Sequence, residues 1–138
     1  KKYRARFEFS AKTFYDKLDF TFDMITQMAT KTIYNDPKRL NLAFNNYANY
    51  AAALPGEEYR VVMVVNGPAA QLLKKENAEQ AERGAKLMDS GLTIRVCNNA
   101  LKAFNVDPAD LWEGVEITPA AIVEIVKLQR EGFAYLRP

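Results

Sequence analysis

The run Tyr59-Arg-Val-Val-Met-Val-Val65 is continuously apolar after Arg60. A strand that is apolar at every position has to be covered on both faces, as central strands of parallel sheets are. A parallel sheet needs crossover helices, and the surrounding chain supplies them. Asp36-Pro37 pairs a capping side chain with proline at the first helical position. Leu40, Phe44, Tyr47, Ala51 and Leu54 then recur at three- and four-residue steps, up to the break at Pro55-Gly56. Beyond the central run, Asn66-Gly67-Pro68 turns the chain into a short helix reaching Leu73, and a second helix is expected over residues 78–88, closed by Ser90-Gly91. Leu92-Thr-Ile-Arg-Val96 alternates like a strand, followed by a helix from Asn98 to Phe104 and a capped turn at Asp107-Pro108. Residues 115–117 read as a short strand. Thr118-Pro119 is read as the opening of a helix carrying Ile122, Ile125, Val126 and Gln129 and ended by Gly132, before a last strand over 133–136. With residues 30–34 as a short strand ahead of the first helix, the pattern predicts an α/β sandwich with a mainly parallel sheet of about five strands.

Residues 1–28 stand apart in composition. They hold Tyr3, Phe7, Phe9, Phe14, Tyr15, Phe20 and Phe22, and the formal surplus of +2 sits here, with lysines and arginines balanced by acids in the remainder. Tyr3 to Phe9 alternate like a half-buried strand. Beyond Ser10, Phe14, Leu18, Phe22 and Ile25 fit a helix face, while Leu18, Phe20, Phe22 and Met24 alternate like a strand; the helix is preferred. The segment contains neither glycine nor proline, so it is not a flexible linker. The expected division is an aromatic-rich N-terminal extension over 1–28 and one compact domain over 29–138. Aromatics so concentrated call for burial, and packing across a subunit boundary is the expected means.

The candidate chemistry rests on one thiol. Cys97 is the single cysteine of 138 residues, and the chain has no histidine. That excludes Ser-His-Asp and Cys-His pairs, histidine metal ligands, a zinc cluster and any internal disulfide; no metal site and no cofactor are expected. Nor does a glycine-rich fingerprint follow a strand. A net charge of +2 is too small to imply nucleic acid, and no apolar run is long enough to cross a bilayer. Cys97 falls where a strand gives way to a helix, so unpaired N–H groups and the helix dipole there favour a thiolate. The plainer alternative is a small buried apolar residue. In parallel α/β sheets ligands bind beyond the carboxyl ends of the strands. There the sequence places Asn35, Asp36, Asn66, Gly67, Cys97, Asn98, Asn99 and Thr118. Asp36 and Thr118 are read as helix caps and Gly67 as a turn. Asn35, Asn66, Gly67, Asn98 and Asn99 form the candidate ligand-binding rim around Cys97.

Several stretches resemble the DsrE/DsrF-like family: Asn35-Asp-Pro-Lys-Arg-Leu-Asn-Leu-Ala-Phe-Asn-Asn46, the strand ending Asn66-Gly67-Pro68, the Val96-Cys97-Asn98 junction, and the closing Leu128-Gln-Arg-Glu-Gly-Phe-Ala-Tyr-Leu-Arg-Pro138. The resemblance covers about residues 30–138. It implies a three-layer α/β/α domain assembled as a homotrimer or homohexamer. It also implies a sulfur carrier, in intracellular sulfur oxidation or sulfur relay, that takes sulfur as a persulfide on Cys97 and exchanges it with donor and acceptor proteins. Asn98-Asn99 depart from the small residues that follow the cysteine in sulfur-relay members. The competing expectation is a non-catalytic oligomeric module that binds a small ligand or partner, with Cys97 structural. On the carrier reading, Cys97 is expected to be partly accessible and quick to alkylate. A cytoplasmic location is expected, or a periplasmic one after loss of a signal peptide.

Overall fold

The computed structural model describes residues 19–23 and 36–136. Its sheet has five strands, β1 (Asp19–Asp23), β2 (Val61–Val65), β3 (Leu92–Cys97), β4 (Glu116–Thr118) and β5 (Phe133–Leu136), in the order β4-β3-β2-β1-β5, and every neighbouring pair is parallel. The apolar run is therefore the middle strand. All five residues of β2 are buried, as full coverage of both faces requires.

The connections are α1 (Pro37–Ala53), a 3-10 helix (Gly67–Leu73), α2 (Ala78–Asp89), α3 (Asn98–Ala103), a 3-10 turn (Pro108–Asp110) and α4 (Ala121–Arg130). Asp36 caps α1, its Oδ1 accepting from the Lys38 N–H at 3.0 Å, with Pro37 at the first helical position. Leu40, Ala43, Phe44 and Tyr47 form the buried side of that helix. α1 and α2 lie together: Arg83 of α2 donates to Asn41 Oδ1 at 3.2 Å and Asn45 Oδ1 at 2.6 Å, and its guanidinium carbon lies over the Phe44 ring, 5.5 Å from the centroid. Buried Trp112 packs on the same layer against Gly84, and its indole N–H donates to the Lys74 carbonyl at 3.0 Å.

α4 covers the opposite face and packs on β1, β2 and β5. The pleat divides the strands between the two layers. Arg95 and Cys97 of β3 meet α4, so Thr93 shares their side, while buried Leu92, Ile94 and Val96 face the α1–α3 layer. Register carries the split into β2: Val62 and Val64 lie on the α4 side, and Val61, Met63 and Val65 on the other. The three-layer α/β/α sandwich follows.

Two expectations change. The helix preferred beyond Ser10 gives way at Asp19–Asp23 to a strand lying between β2 and β5. The period-two reading of Phe20 and Phe22 prevailed because ladder hydrogen bonds on both sides outweigh an ambiguous local pattern. The sheet thus takes a strand from within 1–28, the span set apart as an extension. Secondly, Thr118-Pro119 does not open α4. Thr118 is the last residue of β4, and Ala120 stands at the N-cap without a side-chain bond. The expected strands over Tyr3 to Phe9 and over 30–34 lie outside the described residues.

Candidate functional site

At the carboxyl edge of the sheet, register brings the candidates together. Val65 pairs with Val96, so Asn66 and Cys97 stand just beyond, at neighbouring strand ends. Cys97 pairs with Thr118 on its other side. Asn66 and Gly67 open the 3-10 helix; Gly67 has φ 57°, which explains glycine at this turn. Asn98 and Asn99 are the first residues of α3, Asn98 half-buried and Asn99 exposed. Asn35 lies outside the described residues. Five of the six sequence candidates therefore share the ends of β2 and β3.

The thiol itself is placed differently from expectation. Cys97 is 3% exposed, not partly accessible. Its side chain points to the α4 side of the sheet, and Sγ accepts a hydrogen bond from the Ala121 N–H at 3.4 Å. The helix end that meets the sulfur is thus the start of ten-residue α4, rather than that of α3, whose six residues begin immediately after Cys97. Alternation decides this: the odd-numbered residues of β3 face α4, and the thiol travels with them.

Four further polar side chains, Arg95, Glu116, Thr118 and Glu124, gather on that face. Arg95 donates from Nη1 to Glu124 Oε1 at 2.6 Å and from Nε to Glu116 Oε1 at 2.8 Å. The Thr118 hydroxyl donates to Glu124 Oε2 at 3.3 Å. Glu124 lies in the first turn of α4, so the network joins β3, β4 and α4. Burial works against the Arg95 charge, but hydrogen bonding and proximity to Glu116 and Glu124 raise its pKa above the ordinary guanidinium value. Thr118 is 5% exposed and is a bonded strand residue, not a cap. Arg95 could have been found in the sequence as Cys97's neighbour two positions back on an alternating strand. For Glu124 there was no signal, because the packing of α4 over β3 is a tertiary fact.

Two larger hollows lie elsewhere. One, of about 400 Å³, sits at the amino end of β3 among Met88, Leu92, Glu113 and Glu116; the other, about 470 Å³, runs along the outside of α4 by Ile122, Val123 and Val126. Neither is lined by Cys97. Among the described residues, no group of three or more His, Cys, Asp or Glu is placed to hold a metal ion, and no helix is long and apolar enough to cross a membrane.

The fold and this rim define a small three-layer α/β/α domain with one thiol at the carboxyl edge of a parallel sheet. The chain belongs to the DsrE/DsrF-like family, which it matches over residues 24–138. It is also similar to a solved protein of unknown function from Methanobacterium thermoautotrophicum, at 29% identity over 88% of this chain and 98% of that one, with a TM-score of 0.72. No curated protein matches the chain.

Proposed function

We propose that this protein is a sulfur carrier of the sulfur-relay type, with Cys97 as the atom carrier. The observation that supports the reading is the Ala121 N–H directed at Sγ at the carboxyl edge of the sheet. A helix N-terminus accommodates negative charge, the form in which a thiolate or a persulfide holds sulfur. In the transfer, the Cys97 thiolate attacks the outer sulfur of a donor persulfide. A new S–S bond forms at Cys97, the donor's own S–S bond breaks, and the donor leaves as a thiolate carrying the electron pair. Delivery to an acceptor thiol is the same exchange in reverse, so no cofactor is needed. Asn66, Gly67, Asn98 and Asn99 would form the rim that receives the donor and acceptor proteins. Assembly as a homotrimer or homohexamer belongs to the same reading, with the aromatic-rich N-terminal segment as the expected contact between copies.

The burial of Cys97 favours a second reading, an oligomeric binding module in which the cysteine is packing. Intact-mass spectrometry after incubation with a low-molecular-weight persulfide separates the two. The carrier reading expects the mass to rise by one sulfur atom, the gain to vanish with reductant, and Cys97→Ser to show none. An unmodified wild-type mass under those conditions would leave the cysteine structural.

A further inference from the structure

A buried thiol can exchange sulfur only when its cover moves, and the cover here is fastened unevenly. Ala121 lies over Cys97 and is itself 1% exposed. The rest of the first turn of α4 has little apolar purchase, since Ile122 and Val123 point outward at 67% exposure. Further along the helix Ile125 and Leu128 are buried. The N-cap residue, Ala120, has no capping side chain. Among the described residues, what ties the first turn down is Glu124, which is held by Arg95 of β3 and Thr118 of β4 and whose side chain is 13% exposed.

We propose that the Arg95–Glu124 ion pair is a latch: it holds the first turn of α4 over Cys97, and its release exposes the thiol while the sheet stays folded. Local opening of this kind draws on segments with few buried apolar contacts, and the first turn of α4 fits that description. The opening would present Cys97 toward β4 and the start of α4, so an incoming donor whose own charge competed for Arg95 or Glu124 would favour it. The latch is a property of the free chain. Its meaning for sulfur transfer rests on the carrier reading, but its test does not.

The test is the rate of Cys97 alkylation by iodoacetamide under native conditions, followed by intact mass at several urea concentrations below the unfolding transition. Local opening predicts a slow wild-type rate nearly independent of urea, because little surface is exposed. Glu124→Gln keeps the shape of the side chain and removes its charge, and should speed alkylation by about tenfold with the same flat urea dependence. Glu124→Ala should do at least as much. Glu116→Gln breaks only the outer pair of Arg95, and should leave the rate within about twofold of wild type, as expected for an exposed ion pair. The proposal is overturned if Glu124→Gln reacts at the wild-type rate. It is equally overturned if the rate climbs steeply with urea from the start, in wild type or variant, since the thiol is then reached only by global unfolding. Persulfide loading plays no part in these measurements, so the latch and the carrier reading can fail separately.

Discussion

Two glycines show how differently single residues constrain this chain. A Cβ added to Gly84 would stand 2.7 Å from Cζ3 and 2.9 Å from Cε3 of Trp112. That indole is buried and tied through its N–H to the Lys74 carbonyl, so it has little room to tilt away. Alanine is favoured over glycine in a helix by about 1 kcal/mol, yet overpacking costs about 1–3 kcal/mol. Gly84→Ala is therefore expected to lower stability in urea denaturation despite its better helix propensity. At Gly67 the space is open, with nothing within 4 Å of the added atom, and only the left-handed backbone matters. Gly67→Ala should cost about 1 kcal/mol, measurable in the same way. The gap between Cys97 as expected and as found is also a residue-scale matter. Its position at a strand end was legible in Leu92 to Val96, but exposure depends on what lies above the strand. Ala121 and Glu124 come from a helix 24 and 27 positions further on, and nothing in the local sequence announces that they land there.

Among the elements, those with a strong local signature came through from sequence to structure. Asp36-Pro37 starts α1, Gly132 follows α4, and the run ending at Val65 is the middle strand because a strand apolar on both sides has nowhere else to sit. Asp36→Ala removes the cap on the Lys38 N–H and should cost about 1 kcal/mol of stability. Val64→Asp is expected to be far more damaging. Val64 is 0% exposed and lies under α4, so an unpaired carboxylate there should cost several kcal/mol and leave the protein largely unfolded or insoluble at neutral pH. Folding of that variant would be checked by circular dichroism and solubility. Less legible were the segments with two periods at once. Phe14 to Ile25 fitted both a helix and a strand in local terms, with the helix preferred, and partners on both sides, β2 and β5, made Asp19–Asp23 a strand. Thr118 was ambiguous for the opposite reason: threonine suits a cap and a strand alike, and its pairing with Cys97 decided in favour of the strand.

At the scale of the molecule, the position of β1 revises how the aromatic N-terminal segment can be probed. Deleting residues 1–28 would remove a strand from between β2 and β5 and is expected to abolish folding. Deleting residues 1–18 leaves all five described strands in place, and the variant is expected to fold, as a cooperative thermal unfolding transition would show. Light scattering on that shorter variant then asks whether Tyr3, Phe7, Phe9 and Phe14 hold copies together: the proposed assembly predicts a smaller mass, and an unchanged mass would assign the contact to another surface. The pairing of Asp19 with Phe133 has a kinetic consequence as well. A ribosome delivers β1 well before β5, with β2, β3 and β4 between them, so until β5 emerges that side of β1 lacks the strand that closes it. Pairings so distant along the chain close slowly. Until β5 arrives, β1 is a bare strand edge, open to the same edge of another nascent chain.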